Sequence, residues 1–242
     1  MSAADRGRRA CLKRRSNELD RIAAEITACE LCPRLRDHCR EVARVKRRAY
    51  REWDYWGKPV PGFGDPKARL FIIGLAPGAH GANRTGRIFT GDRSGDFLYS
   101  VLHEAGFASQ PTSVSRDDGL TLQDCWISAA GRCAPPDNKP LPQELRNCRP
   151  YLERELAALD KVQAVVVLGR IAFAAYLAIL RDQGSISRAR SFVFGHNAVH
   201  AVGGGLPVLI SSYHPSQQNT STGRLTREMF LDVFVQAARI LA

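Results

Sequence analysis

The stretch GLAPGAHGANRTGRIFTGD, residues 74–92, has the composition of a loop that holds a flat ligand close to its backbone. Glycines lack a Cβ, so the chain can approach a ligand closely and present N–H groups to it. Phe89 offers a ring that stacks on a base or packs beneath the loop. Asp92 is the first acid after the preceding apolar run, and it fits activation of water or the N-cap of the next helix. The phosphate-loop patterns GxGxxG and GxxxxGK[ST] are both absent.

Two later loops carry polar groups after apolar or small residues. In SYHPSQQNTSTGR, His214 precedes a proline that restricts its backbone to extended conformations. A neutral imidazole there suits donation to an oxygen that gains charge, although a surface histidine in a polar loop fits equally well. In GRCAPPDNKP, Asn138 lies in a proline-stiffened turn, where its amide fits either a base edge or the turn alone.

Seven cysteines in a chain without a secretory signal indicate a metal or redox site rather than a disulfide framework. Cys29 and Cys32 form a CxxC pair, whereas fourteen residues separate Cys133 from Cys148. Four thiolates satisfy a tetrahedral zinc ion or a cubane iron–sulfur cluster. Spacing alone does not choose between these metals, and a redox CxxC or unrelated buried cysteines also fit. Cys125 lies in a predicted strand and acts there as a small hydrophobe.

The elements that position these loops alternate between strands and helices. Apolar runs predict four strands, in residues 69–76, 125–131, 163–169 and 206–216. Helical patterns cover residues 18–28, 36–53, 94–106, 141–159 (with a proline interruption), 170–180 and 226–242. This order predicts a three-layer α/β/α sandwich with a central four-stranded, mostly parallel sheet. Ligands bind such sheets at the carboxyl ends of the strands, so the loops 74–92, 131–140 and 213–224 form the candidate site.

Length and composition predict one globular domain. The 242 residues fit a basic disordered arm over residues 1–16 and a single domain over residues 17–242. No apolar run approaches the roughly 20 residues of a membrane span, and the N-terminus lacks the apolar segment of a secretory signal. These features predict a cytoplasmic protein with no membrane partner.

The net charge of +11 and the pI near 9.7 favour an anionic partner. The segment RVKRRAYREW, residues 44–53, adds a dense basic cluster beside aromatic residues. A basic surface attracts phosphate chains in a salt-dependent manner. Charge alone fits acidic metabolites, ribosomal RNA or a solvated helix face equally well.

The three loops and the cysteines Cys29, Cys32, Cys133 and Cys148 together resemble the type B (family 5) uracil-DNA glycosylases, from about Cys29 to the C-terminus. The resemblance implies the α/β/α fold and a [4Fe–4S] cluster on those four cysteines. It also implies a monofunctional DNA repair enzyme that extrudes uracil and other deaminated or damaged bases, hydrolyses the N-glycosidic bond and leaves an abasic site.

The resemblance implies roles for individual residues. Asp92 would activate water or support the sugar electrostatically, and His214 would stabilise the oxygen of the leaving base. The residues expected to contact the base are Gly74, Ala76, Gly78, Ala79, His80, Phe89 and Asn138. The residues expected to contact DNA are Arg84, Arg87, Gln217, Gln218 and Arg224.

Two alanines depart from the pattern of related families. Ala76 stands where those families carry an acid or asparagine, and Ala129 or Ala130 stands where some carry an asparagine that reads uracil. Both small residues imply a roomier and less selective pocket. The expected substrates therefore include DNA with hypoxanthine or xanthine as well as uracil. The protein is expected to act as a monomer.

Two other functions share these features. The first is a non-catalytic protein that binds damaged DNA, which would not need Asp92 or His214. The second is an iron–sulfur enzyme that acts on small nucleotides, for which activity would depend little on salt. DNA binding by a glycosylase would weaken steeply as salt rises.

Overall fold

The structure is a computed structural model that describes residues 3–242, with side chains from Arg15 onward. One sheet runs through the molecule, and its six strands in chain order are β1 (Phe63–Gly64), β2 (Leu70–Gly74), β3 (Cys125–Ala129), β4 (Ala164–Leu168), β5 (Ala198–His200) and β6 (Val208–Ser212). The helices are α1 (Ala3–Thr27), α2 (Pro33–Val45), α3 (Ala82–Thr85), α4 (Arg93–Glu104), α5 (Pro142–Ala158), α6 (Arg170–Asp182), α7 (Gln217–Ser221) and α8 (Arg227–Leu241).

The sheet has the strand order β1-β3-β2-β4-β6-β5. Its four inner strands are parallel and match the four predicted from apolar runs. The predicted number of strands was too low, because β1 and β5 add one antiparallel strand at each edge. With two and three residues, these edge strands are too short to show an alternating pattern.

Helices cover both faces of the sheet, which confirms the three-layer sandwich. The inner strands are buried on both faces, so successive side chains of β2 enter different cores. Leu70 and Ile72 pack in a core that includes Leu98 of α4 and Phe230 of α8. Phe71 and Ile73 pack in a second core, which holds Leu152 of α5 and Phe173 and Tyr176 of α6.

The N-terminal region differs from the prediction in two places. Helix α1 begins at Ala3 and covers most of the predicted disordered arm, since the segment after Gly7 is rich in good helix formers and has no proline. Residues 1 and 2 lie outside the described part. Helix α2 ends at Val45 rather than near Trp53, because Lys46 adopts a left-handed conformation with φ of 56°.

Helix α5 is continuous through Pro150, where the sequence predicted an interruption. The proline removes one backbone donor, but Cys148, Leu152 and Glu155 anchor the helix because they are buried on both sides of it. Across the described helices, none combines the length and apolar character needed to cross a membrane.

The carboxyl ends of the inner strands meet at one edge of the sheet. The N–H of Ala130 donates to the carbonyl of Gly74 at 3.0 Å, which joins the ends of β3 and β2. The N–H of Gly169 donates to the carbonyl of Ser212 at 2.8 Å, which joins the ends of β4 and β6. The predicted loops therefore leave the sheet side by side.

Candidate active site

Asp92 is the N-cap of α4, where its side chain accepts a hydrogen bond at 3.0 Å from the N–H of Gly95. The capping oxygen is Oδ1, so Oδ2 remains on the side of the glycine-rich loop. A Cβ on Gly81 would lie 1.9 Å from Oδ2, and one on Gly78 would lie 2.7 Å from it. Both glycines therefore leave the space that this carboxylate oxygen needs. The two alternatives considered for Asp92 do not exclude each other, because the two oxygens face different groups.

Burial raises the pKa of Asp92 above its ordinary value, and the nearby charge of Asp96 adds to this effect. The N–H groups of Gly95 and Ser94 oppose the rise because they stabilise the ionised form. A carboxylate with a raised pKa is a stronger base than an exposed one. This environment suits acceptance of a proton from water.

Phe89 has a left-handed backbone, with φ of 52°, just before Asp92. The conformation directs its carbonyl at α4, where a Cβ on Gly95 would lie 1.8 Å from the Phe89 oxygen. The ring lies against the end of β2, since a Cβ on Gly74 would lie 2.6 Å from Cε2 of Phe89. Strain of this kind in a bulky residue is rare outside functional loops.

His214 follows the end of β6, and its ring lies beside that of Phe89. Its ring centroid lies 6.0 Å from that of Phe89, with 32° between the ring planes. The Nδ2 group of Asn219 donates to the His214 carbonyl at 2.8 Å and holds the backbone, while Gly169 packs against its Cβ. Burial lowers the pKa of His214 to about 4, so the imidazole is neutral at neutral pH and keeps one N–H donor.

The other residues expected to contact the base lie at different depths. His80 Nδ1 is hydrogen-bonded to the Tyr55 hydroxyl at 3.0 Å. Ala79 packs against the buried cysteines. Ala76 lies 3.4 Å from the position of a Cβ on Gly131. Asn138 is exposed in a turn of 3-10 helix and has φ of 56°. The contact of Asn138 with a base stays a prediction.

Arg84 and Arg87 are buried, with exposed fractions of 3% and 4%, and hold the glycine-rich loop together. Arg84 donates to the carbonyls of His80 and Gly91 at 2.9 and 2.7 Å. Arg87 donates to Thr90 Oγ1 at 2.9 Å and forms an ion pair with Asp118 at 2.7 Å. Both guanidinium groups bind acceptors of the loop and its neighbours, so we expect them to stabilise the loop, and their contact with DNA stays a prediction.

Gln217 and Gln218 are exposed on α7, whose N-cap Ser216 accepts a hydrogen bond from the N–H of Asn219. Arg224 is exposed, and its guanidinium carbon lies 4.7 Å from the centroid of the Tyr213 ring. These three side chains are available to a large ligand. Their contact with DNA stays a prediction.

The four predicted metal ligands come from three segments of the chain that meet in one region. Cys32 and Cys133 belong to one buried apolar cluster together with Cys39. Burial raises the pKa of Cys148 to about 11, and the charges of Cys32 and Cys29 contribute to this rise. A hydrogen bond with Cys39 and burial raise the pKa of Cys133, and the charge of Cys148 adds to this rise. Among the described side chains, no three His, Cys, Asp or Glu residues are close enough to hold a single metal ion.

A family model described as the uracil DNA glycosylase superfamily matches residues 61–238, which include all three loops of the site. The chain belongs to the uracil-DNA glycosylase superfamily. This confirms the resemblance on which the expected residue roles are based.

Curated relatives divide into two groups within this superfamily. A type-5 uracil-DNA glycosylase of Thermus thermophilus is 54% identical over 215 residues, which cover 89% of this chain and 94% of the relative. The type-5 uracil-DNA glycosylase of Mycobacterium leprae is 47% identical over 226 residues, covering 93% and 96%. A type-4 uracil-DNA glycosylase of Archaeoglobus fulgidus is 30% identical over 201 residues, covering 82% and 81%. The chain is therefore more similar in sequence to these type-5 proteins than to the type-4 protein.

A buried ion pair behind the site escaped the sequence analysis. Arg132 Nη2 and Glu155 Oε2 are 2.7 Å apart, and each side chain is 2% exposed. Ser128 Oγ also donates to Glu155 at 2.6 Å, and the N–H of Gly62 donates at 3.2 Å. The network fixes the start of the loop that carries Cys133. Its only sequence signal is an arginine directly before that cysteine, and the partner glutamate lies more than twenty residues later in α5.

Proposed function

We propose that the protein is a DNA glycosylase that hydrolyses the N-glycosidic bond of uracil and other deaminated bases in DNA and leaves an abasic site. The observation that carries the proposal is the convergence of Phe89, Asp92 and His214 on one edge of the sheet. The printed names of the type-5 relatives support the same function.

Hydrolysis replaces the bond between the base nitrogen and C1′ by a bond between a water oxygen and C1′. Asp92 Oδ2 accepts a proton from the attacking water, while its Oδ1 stays bound to the cap of α4. The base leaves with the electron pair of the broken bond, and its oxygen gains negative charge. The neutral imidazole of His214 donates an N–H to that oxygen. One such donor typically accelerates a reaction by about 10²–10³-fold.

The extruded base would stack on Phe89 above the bare end of β2. The ring of Phe89 fills the space that Gly74 leaves free, and Ala76 adds only a methyl group, so little side-chain volume would crowd a two-ring purine. This supports breadth toward hypoxanthine and xanthine in addition to uracil. A stack of base on ring contributes about 1–3 kcal/mol and does not depend on which base is bound.

The residues Cys29, Cys32, Cys133 and Cys148 fit a [4Fe–4S] cluster. Their chemistry is that of an all-thiol donor set, which is the set that binds a cubane cluster, and Cys32, Cys133 and Cys148 are buried. When bound, the cluster would tie α1, α2 and α5 to the loop after β3. Asn147 Nδ2 donates to Cys32 Sγ at 3.3 Å and orients this ligand.

The proposal includes a monomer that acts on DNA in the cytoplasm, with residues 17–242 as one domain. The single sheet supports the one domain, because its strands extend from Phe63 to Ser212 and carry all three site loops. A monomer also leaves the exposed residues of α7 free to meet a duplex.

Oligonucleotides carrying one uracil, hypoxanthine or xanthine test the function directly. Purified protein is incubated with each, and alkali then cleaves the strand at abasic sites. We expect strand cleavage with uracil and at least one deaminated purine, and release of the free base. Binding without cleavage would instead indicate a damaged-DNA-binding protein. Activity on free nucleosides alone would indicate an enzyme of small nucleotides.

A further inference from the structure

A group of exposed arginines follows α2 in the turn of residues 46–51, here called the basic turn. Arg47, Arg48 and Arg51 are exposed, and no carboxylate among the described side chains forms an ion pair with them. By contrast, Arg44 in the last turn of α2 pairs with Glu41 at 2.7 Å. The basic turn therefore presents positive charge that the described protein does not neutralise.

Arg84 attaches the basic turn to the site. Its guanidinium carbon lies 4.0 Å from the ring centroid of Tyr50 and 4.1 Å from that of Trp53, so it is sandwiched between them. The same guanidinium donates to the carbonyls of His80 and Gly91, which both belong to the glycine-rich loop. An arginine that stacks on two rings and donates to two carbonyls is a rigid link between the two segments.

A second link connects the two segments through Tyr55. The N–H of Arg47 donates to the Tyr55 hydroxyl at 3.4 Å, and that hydroxyl is bonded to His80 Nδ1 at 3.0 Å. Burial lowers the pKa of His80, and the charges of Arg47 and Arg84 lower it further. The basic turn is thus near enough to the loop for its charge to act on a residue there.

Exposed arginines held close together in one turn attract the phosphates of a nucleic acid. We propose that Arg47 and Arg48 of the basic turn bind phosphates of the DNA strand that carries the extruded base, next to the flipped nucleotide. This rests on the proposed function and names a DNA contact for that site. It also exchanges the predicted roles: the buried Arg84 positions the turn, and the exposed arginines contact the backbone.

The test replaces both arginines by glutamine, Arg47→Gln with Arg48→Gln. A matched control replaces Arg188 and Arg190 by glutamine, because both are exposed and lie on the segment between α6 and β5, the edge strand farthest from β1. Binding is measured by fluorescence anisotropy on a duplex with a tetrahydrofuran abasic analogue, over a range of salt concentrations. Excision of uracil is measured in parallel.

Each lost phosphate contact should reduce the slope of log K against log salt by about 0.9. We expect a slope smaller by about 1.8 and a KM at least about fivefold higher, with kcat within about twofold of the unmodified protein. The pair Arg47→Lys with Arg48→Lys keeps the charge and should restore the slope. A slope and KM equal to those of the control variant, in a protein that excises uracil, would overturn the inference. Absence of excision in the unmodified protein would instead refute the proposed function.

Discussion

The rings of Phe89 and His214 lie with their centroids 6.0 Å apart, although the two residues follow different strands. The contact exists because β2 and β6 both flank β4, so their carboxyl ends open on the same edge. One ring offers an apolar face and the other an N–H donor. A base bound here would meet both groups at once.

Substitution of Phe89 tests the stacking surface. Phe89→Leu keeps apolar volume but removes the aromatic face, so we expect a loss of about 1–3 kcal/mol in base binding. This corresponds to a KM for uracil-containing DNA about fivefold to a hundredfold higher, measured by steady-state excision. Phe89→Tyr serves as the control and should keep a KM near that of the unmodified protein. An unchanged KM in Phe89→Leu would show that the ring only packs beneath the loop.

The lowered pKa of His214 predicts a specific pH dependence. The imidazole should titrate near pH 4 rather than 6.5, so kcat/KM should show no inflection from this group between pH 6 and 8. His214→Ala should slow single-turnover excision by about 10²–10³-fold at pH 7. NMR titration of the ring protons gives the pKa directly, and a midpoint above 6 would contradict a neutral donor.

The lowered pKa of His214 also makes the free energy of unfolding depend on pH in a predictable direction. The folded pKa lies below the unfolded one, so the contribution of His214 is fully present above pH 6.5 and is lost as the pH falls toward 4. His214→Asn should therefore lose less stability over this range than the unmodified protein, as measured by urea unfolding at several pH values.

Gly81 is predicted to protect the carboxylate of Asp92. A Cβ at Gly81 would lie 1.9 Å from Oδ2, so Gly81→Ala must displace the side chain. We expect excision at least about tenfold slower, within the range attributed to a general base. Gly195→Ala is the control, because its Cβ would meet only the Cβ of Ala198 at 3.4 Å. Equal excision rates in Gly81→Ala and Gly195→Ala would contradict the steric role of Gly81.

The proposed cluster predicts that colour and solubility are lost together. We expect the purified protein to have a brown absorbance, and Cys29→Ser should remove it and lower the solubility, because three chain segments lose their proposed common anchor. Cys125→Ala removes a thiol buried in β3 and should keep the colour. A colourless but soluble and active Cys29→Ser protein would contradict the structural role.

The inner sheet was predictable because its strands of five residues are mostly apolar and buried. The site loops followed from the rule that parallel strands end at one edge. The sequence could not show which oxygen of Asp92 caps α4, since that depends on the glycines across the loop. It also could not show that Phe89 has a left-handed backbone.

The roles of the arginines were beyond the sequence for a physical reason. Arg84 and Arg87 lie in a glycine-rich loop, which looks exposed, but their acceptors come from carbonyls and from Asp118 farther along the chain. The aromatic sandwich around Arg84 requires α2 to end at Val45 and the chain to turn back. The predicted helix through Trp53 would place Tyr50 and Trp53 differently, so the prediction did not reveal their stack on Arg84.

Asp92→Asn separates the catalytic role of the carboxylate from its structural role. The amide oxygen can still cap α4, since asparagine is as good an N-cap as aspartate. The folded pKa of Asp92 is raised, so its favourable contribution is present below the unfolded pKa and is lost as the pH rises through the folded one. At pH 7 the variant should therefore melt at the same temperature as the unmodified protein or higher.

The most direct measurement is single-turnover excision of uracil by Asp92→Asn, with DNA affinity determined on the tetrahydrofuran duplex. We expect an affinity within about twofold of the unmodified protein and an excision rate lower by about 10²–10⁴-fold. An excision rate equal to that of the unmodified protein, with affinity unchanged, would contradict the assignment of Asp92 to the reacting water.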